Sequence, residues 1–361
     1  MLALAKLDRS PGREQKVPSF ITADGPVRVV RFIEKPDGTP DGSVHDVYTI
    51  AGRVDAAGCT LPQPNFDQEI ARKNLAYRIP TPAFGGGLIE SLPEDVLLSN
   101  LQAGIGRKQE LGITGRFNRS TNDGTISRFG WKAQNKSLLL FAAESYNVEQ
   151  GVTSEFFPDE RESAPGCQFN KLPEDTTRLH LLRGVTYQPS GFASDVVNFG
   201  AFMRLLAPPK PVPLGSSALA GSELFNSTGC ALCHSPTLTT GQSPFTGMSH
   251  VEIHPYSDFA LHHMGPILAD HISQGLAAGD EYRTAPLWGI GQRIFFLHDG
   301  RTSNLLVAIE SHSSADPNCR QNLLSSMLNE TCVSEANMVI ARFNALQALQ
   351  KQEILDFLRS L

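Results

Sequence analysis

The 361-residue chain has no run of the roughly 18 to 20 apolar residues needed to cross a bilayer, which excludes a membrane-spanning helix. It also lacks a recognisable leader. The opening stretch MLALAKLDRSPGREQKV is too short in apolar residues and too soon charged for a secretory signal. Excess basic charge is missing as well: 31 Lys and Arg face 37 Asp and Glu, a net charge of −6, so no polyanion such as nucleic acid is expected as a partner. With 31 glycines, 24 prolines and only modest periodicity, the composition argues for short elements joined by long loops and against a helical bundle.

The length favours two domains. The segment APPKPVPLGSS, residues 207–217, carries four prolines in eleven residues and reads as a linker. It would separate an N-terminal domain, 1–206, from a C-terminal one, 218–361. Before it, VRVVRFI and HDVYTIAGRV read as strands, and DVLLSNLQ and SLLLFAAESY as helices. After it, SALAGSELFNSTG reads as a helix with Leu219, Leu224 and Phe225 facing the core and Gly229 as its stop. Near the end, Ile354, Phe357, Leu358 and Leu361 form one apolar helical stripe. There is also an internal echo. RFGWKAQNKSLLLFA, from Arg128, aligns without gaps on FFLHDGRTSNLLVA, from Phe295, when Trp131 is set against His298; both read as an aromatic entry, a polar turn and a helix start.

Of the six cysteines, Cys230 and Cys233 form a close pair and Cys59, Cys167, Cys319 and Cys332 are dispersed. The dispersed four are either buried thiols or two bridges; Cys319 and Cys332 flank one polar loop, which leaves Cys59 for Cys167, and bridges would place the chain outside the cytoplasm.

The close pair belongs to Cys230-Ala-Leu-Cys233-His234. At this spacing both thiols can add to the vinyl groups of a haem while the adjacent imidazole takes the iron as its proximal ligand. A zinc site needs further partners at short spacing, and His250 and His254 give no familiar pattern. A redox dithiol follows a strand and opens a helix, whereas here a helix precedes the motif and a loop comes after it. The sixth iron position has several downstream candidates: His250, His254, His262, His263, Met264, His271, His298 and His312.

Five further segments carry a family resemblance: RIPTPAFGGGLIESLPED, SRFGWKAQ, YSDFALHHMGP, EYRTAPLWGIG and FLHDGRT. With the Cys-x-x-Cys-His they make the chain similar to the di-haem oxidoreductases of the bacterial cytochrome c peroxidase superfamily, and more narrowly to the group described as thiol oxidoreductases. The resemblance implies a mainly α fold with small β elements and long loops, built from two cytochrome c-like domains, the C-terminal one complete and the N-terminal one truncated. It implies His312 as the iron's distal ligand, fourteen residues after His298, with Met264 as the alternative, and it sets Trp131 between two haems. Two imidazole ligands would lower the haem potential relative to His/Met ligation. Where relatives place a glutamine and then a glutamate over the open haem, this chain has Phe141 and, as the nearest acid, Glu149. Glu149 is therefore the candidate for proton handling.

The family's second Cys-x-x-Cys-His is not in this sequence, and both it and a signal peptide are expected upstream of Met1. The function implied is a haem c oxidoreductase, with one covalent haem in this chain and a second in full-length relatives. It would pass electrons from the C-terminal haem towards a peroxidase-like site, in the periplasm, drawing on a small redox protein or other donor and using peroxide or another oxidant. The alternative is an electron-carrying cytochrome with no catalytic site of its own; thiol oxidation has no dedicated residue behind it.

Overall fold

The computed structural model describes residues 16–49, 58–59, 61–162, 164, 166–168, 171–177, 193–316 and 329–361. The regular structure among them is mainly helical, with three two-stranded antiparallel ribbons and long connections. By contacts the chain falls into two units, Met1–Pro80 with Ala142–Asn198, and Thr81–Phe141 with Phe199–Leu361. The Pro-rich segment expected to separate two domains lies inside the second unit, where Val212 N–H donates to the Ser360 carbonyl.

In the first unit, β1 (Val29–Phe32) pairs with β2 (Leu75–Arg78), Val29 opposite Arg78 and Phe32 opposite Leu75. Helix α1 (Phe66–Ala71) opens on Asn65, whose side chain accepts from the Gln68 N–H. Phe20, Phe66 and Tyr77 pack together beside the ribbon. Cys59 and Cys167 form a disulfide. Cys332, in the second unit, is also disulfide-bonded, and its expected partner Cys319 lies outside the described residues. The second expected strand, HDVYTIAGRV, is irregular from His45 to Thr49, and its remainder, Ile50 to Val54, lies outside the described residues.

Helices α2 (Gly86–Glu90), α3 (Glu94–Gln102) and α4 (Ile105–Glu110) belong to the second unit, and the boundary between units falls within α5 (Leu138–Gln150) and α6 (Asp195–Leu205). The second unit's core is made by α7 (Ser216–Thr228), α8 (Leu305–Glu310), α9 (Asn337–Asn344) and α10 (Ala348–Ser360), and its two ribbons pair β3 (Leu238–Thr239) with β4 (Glu252–Ile253) and β5 (Leu261–His263) with β6 (Glu281–Arg283). Phe225, Phe343, Ile354, Phe357 and Leu358 are buried together there. The α10 stripe is therefore the one its spacing predicts. The α7 stripe differs: Leu224 packs on the core, but Leu219 is 53 % exposed, and buried Ala218 and Gly221 take the contact instead. A Cβ at Gly221 would overlap the Glu353 carbonyl, so a glycine is needed where α7 crosses α10, and the bulkier leucine is turned to solvent. Helix α7 ends at Gly229, which adopts the left-handed φ of 110° that only glycine takes without cost.

The internal echo is structural. Phe129 bridges Asn135 as Phe296 bridges Thr302, 167 positions on. Gly130 and Ala133 have positive φ, and so do their counterparts Leu297 and Gly300. Helix α5 starts at Leu138 after a Ser137 cap and α8 at Leu305 after an Asn304 cap, in the same register. The equivalent residues Trp131 and His298 meet edge-on with ring centroids 6.4 Å apart.

Because the crossing leaves no room for a methyl group, Gly221→Ala is expected to lower unfolding free energy by about 1–3 kcal/mol through forced separation of α7 and α10. Urea denaturation of the two proteins side by side checks it; equal midpoints would show that the crossing gives way freely.

Candidate haem-binding cavity

The Cys230–Leu232 turn follows Gly229 directly, so the end of α7 aims both cysteines and His234 at one place. That place is a cavity within the second unit whose wall runs from the motif to residues of α8, α9 and α10. Cys230, Cys233, His234 and His312 all line it. Most of the remaining wall is aliphatic or aromatic, including Phe225, Leu268, Ile290, Phe343 and Leu358. An apolar slot with few polar groups is the usual lining for a large flat cofactor.

The two imidazoles are held alike. His234 Nδ1 bonds the Tyr256 carbonyl at 3.0 Å, and His312 Nδ1 bonds the Ala308 carbonyl at 2.8 Å. A ring nitrogen that donates to a carbonyl fixes the tautomer and leaves Nε2 as the ligating atom, the arrangement seen behind metal-bound histidines. The Tyr256 carbonyl is presented from a backbone with φ of 51°, tied to the motif loop by Ser257 N–H to Ser235 and Asp258 N–H to Cys233. Desolvation, then the nearby His312, pushes His234 down to about 4, and desolvation lowers His312 too. Both rings are therefore neutral at neutral pH, as ligation requires.

The other candidates for the sixth position are sorted by their partners. His263 bonds Asp280, His271 bonds Glu330, and His254 lies beside Thr237 and Glu252. None of these three lines the cavity, nor does His250. His298 does, but its Nε2 is 3.2 Å from the Tyr282 hydroxyl. His262 does as well, with Nδ1 2.8 Å from Glu335 and Nε2 3.1 Å from Asp258. Met264 shares the wall with His312. The Cys230 thiol is pushed up to about 11 by desolvation, the reverse of an activated redox cysteine.

The clamp around His262 has no complete signature along the chain. Asp258 and His262 are four residues apart in YSDFALHHM, but Glu335 arrives from the start of α9. Glu335 also accepts from the Thr114 N–H and hydroxyl. Cys233 Sγ lies 3.9 Å from His262 Nδ1, and Cys233, Asp258 and His262 form a compact group of metal-type donors. With both ring nitrogens committed to carboxylates, His262 is a buried cation and not an available ligand. Desolvation and then Cys233 are the largest influences on it, and the net shift is well upward.

Trp131 is buried and lines this cavity and a second, smaller one in the same unit, whose wall includes Phe129, Phe141 and Trp288. Phe141, at the glutamine position of the resemblance, thus faces a space whose wall carries arginines but no carboxylate. Trp288 is a packing residue against Gly85, where a Cβ would run into its ring. Glu149 is on the last turn of α5, in the first unit, exposed at its edge and in the wall of neither cavity. Partial desolvation raises its carboxyl, with Arg31 opposing.

Desolvation works to raise Glu335, yet His262 holds it down at about 2. A depressed carboxylate adds stability that is complete above its unfolded pKa of 4.5 and is lost as pH falls towards 2. Acid unfolding should accordingly steepen below pH 4.5. Glu335→Gln should remove on the order of 2–3 kcal/mol at neutral pH and flatten that limb. Denaturant midpoints measured from neutral pH down through the acid limb report both; parallel profiles would exclude the clamp as a source of stability.

No curated protein sequence matches the chain. Among solved structures there is similarity to a MauG-like protein associated with microbial copper homeostasis, at 17 % identity, covering 48 % of this chain and 54 % of that one with a TM-score of 0.29. The shared part is about half of either chain, and so loose a superposition bears neither on fold nor on activity. The family model described as "Di-haem oxidoreductase, putative peroxidase" matches residues 33–331. With most of its length inside that match, and with the resemblance carried by its motifs, the chain belongs to the di-haem oxidoreductase family.

Proposed function

We propose that the second unit holds one haem c, attached through Cys230 and Cys233 with His234 and His312 as axial ligands, and that the chain works as an electron-transferring oxidoreductase. The observation that carries this is the pair of neutral imidazoles in one apolar cavity, each fastened through Nδ1 to a main-chain carbonyl, beside two free thiols. The packing of α7 against α10 beside the motif is what a c-type cytochrome domain requires. A haem supplies one-electron transfer at its iron. The chain's residues do the rest: Tyr256 and Ala308 orient the rings, two imidazole ligands would lower the potential relative to His/Met ligation, and the apolar wall, by excluding water, would work the other way because it disfavours the more highly charged ferric iron.

With His234 and His312 both given to the iron, this cavity would suit electron transfer more than substrate binding. Reduction of peroxide or another oxidant then falls to the second haem of the family, reached by way of Trp131, whose indole borders both cavities. Domain roles accord with this: a cytochrome unit in the C-terminal part and a peroxidase-like N-terminal part, with an extracytoplasmic location because haem c is attached there. No helix among the described residues is long and apolar enough to cross a membrane.

The holoprotein is expected to show a low-spin spectrum and a covalently bound haem by pyridine haemochrome. His312→Ala should convert that haem to high spin, while Met264→Ala leaves it low spin; the opposite pattern would move the sixth ligand to Met264. A count of one haem per chain with no peroxide turnover would favour the carrier over the oxidoreductase. Glu149→Gln tests proton handling, since a role there lowers turnover without changing the spectrum.

A further inference from the structure

The cations around the main cavity are not all paired among the described residues. His262 faces two carboxylates, Asp258 and Glu335, one more than its own charge. Two further cations, Arg283 and Arg293, line the same cavity, and neither guanidinium has a carboxylate partner among the described residues. Arg283 is 7 % exposed and rigidly placed. Its Nε donates to the Gly130 carbonyl at 3.0 Å and its Nη1 to the Thr284 carbonyl at 3.2 Å, while its own N–H donates to the Trp131 carbonyl at 2.9 Å. No donor bond is formed by its Nη2 among the described residues. The Arg293 side chain makes no hydrogen bond there either, although it is largely desolvated. The two repel each other: desolvation first, and then Arg293, hold Arg283 down to about 10. Burying two guanidinia without a counter-charge costs several kcal/mol per ion, so a site of this kind is built for an anion that arrives from elsewhere.

We propose that Arg283 and Arg293 form a carboxylate-binding pair that takes the two propionates of the haem and so fixes the macrocycle's orientation in the cavity. The inference rests on the haem reading above and adds to it the residues that neutralise the ligand's charge. The match is one of sign and of pairing, since neither guanidinium has a carboxylate partner among the described residues, and guanidinium is the group that meets a carboxylate in a forked, paired geometry. The same two arginines also line the smaller cavity, so they stand with Trp131 on the wall that the two spaces share. Propionates held there would bring the edge of the macrocycle to the indole.

The test compares haemin with haemin dimethyl ester, which keeps the ring and iron but has no carboxylate charge. Each is titrated into the full-length chain prepared without attached haem, followed by tryptophan quenching and the Soret band. Haemin is expected to bind at least about 10-fold more tightly than its ester, and the Arg283→Gln/Arg293→Gln double variant to lose that preference. Arg293→Gln alone, which leaves the Arg283 bonds to Gly130 and Thr284 intact, should lose part of it without affecting folding. Equal binding of the two compounds to the native chain would overturn the proposal while leaving the haem reading standing. Failure of both compounds to bind would overturn both. The second source of a carboxylate is a free small anion: succinate that binds the haem-loaded chain with native affinity, and not the arginine variants, would assign the pair to a substrate and overturn the propionate assignment.

Discussion

Two hydrogen bonds to main-chain carbonyls, from His234 to Tyr256 and from His312 to Ala308, set what this structure can do. Each consumes Nδ1 and so presents Nε2. Each ring comes from a different part of the second unit, one just past the end of α7 and the other just beyond α8. The carbonyl of Tyr256 faces His234 only because the backbone there sits in the left-handed region, at a cost of about 1–3 kcal/mol that the surrounding bonds to Ser235 and Cys233 must offset. The remaining architecture keeps these two carbonyls in place: α7 and α10 cross tightly enough to need a glycine, and the ribbon of β5 (Leu261–His263) and β6 (Glu281–Arg283) closes another side of the cavity.

That ribbon gathers the cavity's polar chemistry. His262 stands opposite Tyr282, and both line the cavity. Arg283, at the end of β6, holds the Trp131 turn through its bonds to the Gly130 and Trp131 carbonyls. Lys132, next to Trp131 and fully buried, bonds the carbonyls of Ala278, Gly279 and Glu281 just before and within β6. The indole is therefore not loosely packed. It is fastened from both sides to the strand that carries Arg283.

The duplicated turn gives this arrangement an internal symmetry. Trp131 and His298 occupy equivalent positions in two copies of one local structure, and the copies bring them into edge-on contact. An aromatic ring is retained at each, but the environment differentiates them: the indole borders a second cavity, whereas the imidazole stacks on Tyr282 at 4.3 Å. One backbone pattern thus serves two roles, decided by what packs against it.

The features legible in the residues alone are local ones. The Cys-x-x-Cys-His spacing, the left-handed stop at Gly229, the apolar stripe of α10 and the repeated turn each depend on a few neighbouring residues, and the chain order displays them directly. The Cys59–Cys167 pairing was legible by elimination. Features that depend on partners distant in the chain emerge only from the fold. Leu219, expected on the core, is turned to solvent because α10 passes over Gly221 instead. Eight residues were candidates for the sixth position and the family resemblance pointed to His312; that a main-chain carbonyl holds its Nδ1, while His262, His263 and His271 face carboxylates, is visible only in the fold. That Arg283 and Arg293 have no carboxylate partner among the described residues is likewise invisible in a chain with more acids than bases, because charge is neutralised by contact in space and not by count along the sequence.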